Sequence, residues 1–122
     1  MTVAVTGAAG HVGTNLVAAL TAAGQSVRVI DRQEPDAPPP EGVEWVVADV
    51  RDQAAMTRAL DDVEVVYRLA AVISVAGPMS GLVDSVNIDG VRATARAALA
   101  AGVGRFVHCS SVHAYDLMAC RG

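Results

Sequence analysis

The segment "VTGAAGHVGTN" (5–15) restricts what this chain can fold into more than any other. It begins inside a continuous apolar run, "TVAVT" (2–6), and leads into "HVGTNLVAALTAAG" (11–24), where Val12, Leu16, Val17 and Leu20 recur at helical spacing. A strand that is apolar at every position is buried on both faces, as central parallel strands are. Such a strand passing into a helix over three spaced glycines leaves few options. Gly7 permits a sharp turn. Gly10 removes the Cβ that would hold a ligand away from the backbone. Gly13 lets the helix lie close against the strand.

The remaining chain repeats the alternation. "SVRVID" (26–31), "VEWVVAD" (43–49), "VEVVYRLAA" (63–71) and "GRFVHCSS" (104–111) are predicted strands. "QAAMTRALD" (53–61) is a predicted short helix. "GLVDSVNIDGVRATARAALAAG" (81–102) is a predicted long helix, with Val83, Val86, Val91, Thr94, Ala98 and Leu99 on one side. "RQEPDAPPPEG" (32–42) carries three consecutive prolines and cannot be a regular helix. It reads as a surface crossover of polyproline character, or else as a linker. Alternation of this kind predicts an α/β fold: a doubly wound, Rossmann-like parallel sheet of five strands in the order 3-2-1-4-5. One domain over residues 1–122 accommodates all of it.

At a strand-to-helix junction the three glycines acquire chemical meaning. A helix N-terminus offers unsatisfied N–H groups and a partial positive charge, which suit a pyrophosphate. Gly7, Gly10, His11, Val12 and Gly13 are the candidate phosphate-side residues, His11 through its backbone N–H. Asp31 closes the second predicted strand 18 residues beyond Gly13. A carboxylate there can accept hydrogen bonds from both hydroxyls of an adenosine ribose. It would repel a 2′-phosphate, so NAD is favoured over NADP, although the adjacent Arg32 can hold such a phosphate. The plain alternative is a tight turn followed by a strand-end Asp with no nucleotide at all.

The spacing GxxGxxG is similar to that of the short-chain dehydrogenases/reductases. The later motifs resemble the extended branch, the NAD-dependent epimerase/dehydratase family. The resemblance runs along essentially the whole chain but covers only the N-terminal part of the family's usual length. It implies that Asp49-Val50 in "VVADVRD" contacts the adenine. It implies that Leu69, Ala70 and Ala71 line the nicotinamide ribose, with Arg68 standing where the family usually has His. Asn87 of Asn87-Ile88-Asp89-Gly90 matches an Asn that helps hold the cofactor and the site; a solvent-facing helical Asn is the alternative. Ser111 matches the catalytic Ser or Thr, whose hydroxyl orients the substrate oxygen.

In that family a Tyr and a Lys four residues apart complete the chemistry, the Lys lowering the Tyr pKa. No Lys occurs among the nine basic residues here, and Tyr115 matches a different, structural position. The expectation is therefore the NAD(P)-binding portion of an epimerase/dehydratase/reductase-type oxidoreductase, truncated before a sixth strand and inactive alone. A small-molecule substrate is expected only in a full-length form. The alternative is a non-catalytic NAD(P)-binding sensor or interaction module.

Other chemistries are disfavoured. A net charge of −4 argues against a nucleic-acid partner. No apolar run is long enough for a membrane span, and "MTVAVTGAAG" lacks signal-peptide character, so a cytoplasmic protein is expected. The spacing of three His and two Cys matches no metal site. His108 and Cys109 fall on opposite faces of a strand and cannot form a dyad; a packed Cys109 is expected. The helix 81–102 resembles the family's dimer-forming helix, which points to a homodimer, while Phe106 and Val107 on an open edge strand point instead to aggregation.

Overall fold

The computed structural model describes residues 2–8, 11–69 and 88–109. Its elements in chain order are β1 (Thr2–Thr6), α1 (His11–Ala22), β2 (Ser26–Asp31), β3 (Val43–Val47), α2 (Gln53–Ala59), β4 (Val63–Arg68), α3 (Gly90–Ala100) and β5 (Arg105–His108). The five strands form one sheet in the order β3-β2-β1-β4-β5, and every neighbouring pair is parallel. The expected topology is therefore observed. From β1 the chain steps outward to β2 and β3, then returns to the other side of β1 with β4 and β5. This reversal creates a crevice at the carboxyl ends of β1 and β4.

Two apolar layers hold the sheet between helices. On one face Val5, Ala8, Val27 and Val29 pack with Leu16, Val17 and Leu20 of α1 and with Trp45 and Tyr67. On the other, Ala4, Ile30, Val63 and Val66 pack with Val50, Met56, Ala59, Leu60, Ala97 and Ala98. β1 contributes to both layers, which explains its unbroken apolar sequence. The β2–β3 crossover carries no helix, in keeping with its prolines. The Trp45 indole N–H donates to the Gln33 carbonyl at 2.9 Å, and Val43 N–H donates to the Pro40 carbonyl at 3.1 Å. Arg28 ties β2 to its surroundings: Nε meets Glu44 Oε2 at 2.8 Å, and Nη1 donates to the carbonyls of Ala59 and Asp61 at 2.9 and 2.7 Å.

Several sequence expectations need correction. Val12 is 60% exposed and does not join Leu16, Val17 and Leu20 in the core, because it sits in the first turn of α1, beyond the edge of the sheet. Leu99 is 85% exposed. The buried stripe of α3 is Gly90, Ala93, Thr94, Ala97 and Ala98. Small residues, not the largest apolar one, face the sheet, since they allow α3 to approach α2 and β4 closely. Val91 is half-buried, and Val83 and Val86 lie outside the described residues. β3, β4 and β5 end at Val47, Arg68 and His108, short of the expected limits. Cys109 is exposed rather than packed, being the first residue beyond the edge strand β5.

At two glycines an added Cβ would meet a neighbour inside ordinary contact distance. A Cβ on Gly13 would lie 2.5 Å from Ala8 Cα and 2.8 Å from the Gly7 carbonyl oxygen. A Cβ on Gly90 would lie 2.9 Å from Val50 Cγ2. The first obstacle is backbone and the second is the tip of a side chain. Gly13→Ala should therefore lower stability by about 1–3 kcal/mol in urea unfolding, the usual cost of overpacking. Gly90→Ala should cost less than about 1 kcal/mol, because Val50 can yield and Ala favours the helix. Equal stability of Gly13→Ala and the parent chain would contradict this packing.

Candidate functional site

The parallel register brings the carboxyl ends of the strands to one edge. Hydrogen bonds just beyond the strands hold that edge level. Gly7 N–H donates to the Ile30 carbonyl at 3.3 Å and Leu69 N–H to the Thr6 carbonyl at 3.0 Å. Ala48 N–H donates to the Asp31 carbonyl at 2.9 Å and Cys109 N–H to the Arg68 carbonyl at 3.1 Å. Gly7, Asp31, Ala48, Leu69 and Cys109 thus start or border loops on the same side of the sheet. Most of the residues singled out from sequence belong to these loops.

The turn after β1 has the geometry its glycines require. Gly7 has φ +77°, in the left-handed region. Gly13 is buried against Ala8 and Gly7, so α1 starts immediately over the end of β1. The Thr14 hydroxyl donates to the Ala8 carbonyl at 3.2 Å and braces the turn. α1 has no acidic residue in its first turn, so no side chain there offsets its positive end. The first N–H groups of a helix have no partners within it. His11 and Val12 open the helix at this point.

Asp31 is the last residue of β2 and half-buried; its Oδ1 accepts the Gln33 N–H at 3.1 Å, which fixes the carboxylate at the strand end. Arg32 beside it is exposed. Beyond β3, Asp49 and Arg51 form a two-pronged ion pair: Nη2 to Oδ2 is 2.6 Å and Nε to Oδ1 is 2.9 Å. The hydrogen bond from Arg51 holds the Asp49 carboxyl below its ordinary value, against the opposing effect of partial burial. Between them Val50 points inward and is 8% exposed. It packs against Gly90, and the Thr94 hydroxyl lies 3.5 Å from its carbonyl oxygen.

Arg68 closes β4 with 2% exposure, and its Nη2 lies 3.7 Å from where a Gly90 Cβ would stand. Burial pushes the guanidinium down from its ordinary value, though arginine stays charged. Sequence reasoning noted Arg68 only as a replacement for His; its burial beneath α3 was not foreseen. Nor were Arg51 and Gly90 as partners of Asp49 and Val50. The Asp-x-Arg spacing was the available signal for the first, and the small-residue stripe 90-93-94-97 for the second.

The structure therefore brings Gly7, Val12, Gly13, Asp31, Arg32, Asp49, Val50 and Leu69 to the carboxyl edge, with the backbone of His11. Gly10, Ala70, Ala71, Asn87 and Ser111 lie outside the described residues. Among the described residues no group of three or more His, Cys, Asp or Glu is placed to hold a metal ion, and no helix is long and apolar enough to cross a membrane. An open depression of about 350 Å³ lies between β3 and α2, walled by Arg28, Glu44, Arg58 and Asp61. It shares no residue with the glycine turn, Asp31 or Asp49.

Known proteins share this architecture. The chain is 44% identical over 120 residues to sterol demethylase protein B of Methylococcus capsulatus, which covers 96% of this chain and 36% of that protein. It superposes on a short-chain dehydrogenase/reductase superfamily protein from Agrobacterium tumefaciens with bound NAD at a TM-score of 0.78 and 40% identity, covering 91% of this chain and 33% of that one. It also superposes on the Thermus thermophilus UDP-glucose 4-epimerase in complex with NAD, at a TM-score of 0.76 and 31% identity, covering 87% of this chain and 36% of that one. The chain thus spans 33% to 36% of the length of these relatives. Sheet order, the glycine turn and a match over residues 3–120 agree: the chain belongs to the NAD dependent epimerase/dehydratase family.

Proposed function

We propose that this chain is the dinucleotide-binding portion of an NAD-dependent oxidoreductase of the epimerase/dehydratase type. The observation that carries this reading is the turn from β1 into α1. There the backbone at Gly13 approaches Ala8 more closely than any side chain allows, and the helix N-terminus stands at the topological switch point. Gly7, Gly10, His11, Val12 and Gly13 would receive the pyrophosphate through backbone N–H groups. Asp31 would accept the adenosine ribose hydroxyls, with Arg32 beside it. Adenine then extends past β2 towards Asp49 and Val50. Leu69, Ala70, Ala71 and Asn87 serve the nicotinamide half. The cofactor supplies a hydride acceptor and donor when bound.

Catalysis needs more than this. Ser111 would orient the oxygen of an alcohol, a sterol or a sugar nucleotide. The chain has no Lys to lower a tyrosine pKa beside it. Proton transfer in this reading belongs to residues of a full-length form. Leu99, 85% exposed on the outer side of α3, offers an apolar contact for a homodimer through that helix.

Calorimetry should show the purified chain binding NAD more tightly than NADP. Asp31→Ala should weaken NAD by about tenfold or more, the worth of hydrogen bonds to a charged group, and remove the preference. Tighter binding of NADP by the parent chain would overturn the assignment. The same sample should show no turnover of NAD with alcohols or sugar nucleotides; robust hydride transfer would contradict the division of labour between this chain and the rest of a full-length protein.

A further inference from the structure

Asp49 carries a constraint that its own position does not explain. Its residue lies in the loop just beyond β3, on the side of β2 away from β1. A dinucleotide with its pyrophosphate at the glycine turn and its ribose on Asp31 puts the purine on that side. A carboxylate in this place is an acceptor for the 6-amino group of adenine. Yet both of its oxygens are already engaged by one residue. Oδ1 accepts the Arg51 backbone N–H at 2.9 Å and Nε–H at 2.9 Å. Oδ2 accepts Nη2–H at 2.6 Å and a longer share of Nε–H at 3.1 Å. An ionised carboxylate has about four acceptor positions, so Oδ1 is filled and Oδ2 keeps one strong position.

We infer that Arg51 is a positioning residue for purine recognition: by clamping Asp49 from two sides it leaves a single acceptor on Oδ2, which selects a 6-amino over a 6-oxo purine. This inference rests on the dinucleotide reading above. An unclamped aspartate on a loop rotates freely and loses entropy when it meets a ligand. The planar guanidinium removes that freedom beforehand, and its two parallel N–H donors fix the carboxylate plane. Val50, buried between the two charged residues, prevents the loop from turning the pair away. The surrounding charges keep the pair in balance: Arg32 acts on Asp49 from the loop after β2, and Asp89 acts on Arg51 from the residue before α3.

The test compares binding of NAD and of nicotinamide hypoxanthine dinucleotide, which has a 6-oxo group and a proton on N1 where adenine has a 6-amino group and a bare N1, to the 122-residue chain. Calorimetry on the parent chain, Arg51→Ala, Arg51→Lys and Asp49→Asn gives a ratio of dissociation constants for each. The parent should prefer NAD by about tenfold or more. Arg51→Ala should lower that ratio at least about threefold, Arg51→Lys should fall between because an ammonium cannot grip both oxygens, and Asp49→Asn should abolish the preference. Circular dichroism confirms that each variant is folded; a purely structural role for Arg51 would weaken both ligands alike and leave the ratio unmoved. A ratio unchanged or increased in folded Arg51→Ala overturns the inference, as does equal binding of both dinucleotides by the parent. Failure of the parent to bind either one overturns the dinucleotide reading itself.

Discussion

The contact on which the fold and its site both depend is the approach of α1 to the end of β1. With a Cβ at Gly13 only 2.5 Å from Ala8 Cα, the helix could not begin where it does. Its position over β1 lets Leu16, Val17 and Leu20 cover Val5, Val27 and Val29, forming one of the two apolar layers. The same contact delivers the helix N-terminus to the edge where the sheet order reverses. Packing and the placement of the helix N-terminus therefore share one cause: the absence of a side chain at position 13.

A second close approach organises the other half. Val50 reaches into the core from the loop after β3 and meets α3 at Gly90, near buried Arg68 and Thr94. The loop that presents Asp49 and Arg51 is thus pinned at its centre while its charged residues remain at the surface. Helix α3 can lie this near because its inward stripe is Gly, Ala and Thr. A Leu on that stripe would lift the helix and release Val50. Gly13 thus sets the approach of α1 to one face of the sheet, and the small-residue stripe of α3 sets the approach on the other.

Much of this was legible in sequence because period and punctuation are local. The apolar run 2–6, the three glycines and the alternation of strands with Ala-rich segments lead to a parallel sheet of the observed order. Asp31 was singled out by its place at the end of a predicted strand and Asp49 by the family resemblance; both stand at the carboxyl edge, Asp31 closing β2 and Asp49 in the loop after β3. What failed was the reading of size. Leu99 looked like a core residue and is exposed, whereas Ala93, Ala97 and Ala98 are buried. Hydrophobicity marks which residues can be buried, but helix-to-sheet distance decides which are, and that distance suits the small inward stripe Gly90, Ala93, Thr94, Ala97 and Ala98. Val12 was misplaced for a related reason: helical spacing continues past the point where the sheet ends. The Asp49–Arg51 clamp escaped notice because two oppositely charged residues on a loop face each other only under one backbone conformation.

The central claim is that the glycine turn at the switch point receives the dinucleotide. Amide chemical shifts of ¹⁵N-labelled chain, followed while NAD is added, test it most directly. The account predicts the largest changes at Gly7, Ala8 and His11–Thr14, with further changes at Asp31, Arg32 and Asp49–Arg51. Changes confined to the opposite flank, around Arg28, Glu44 and Arg58 in the depression between β3 and α2, would contradict it.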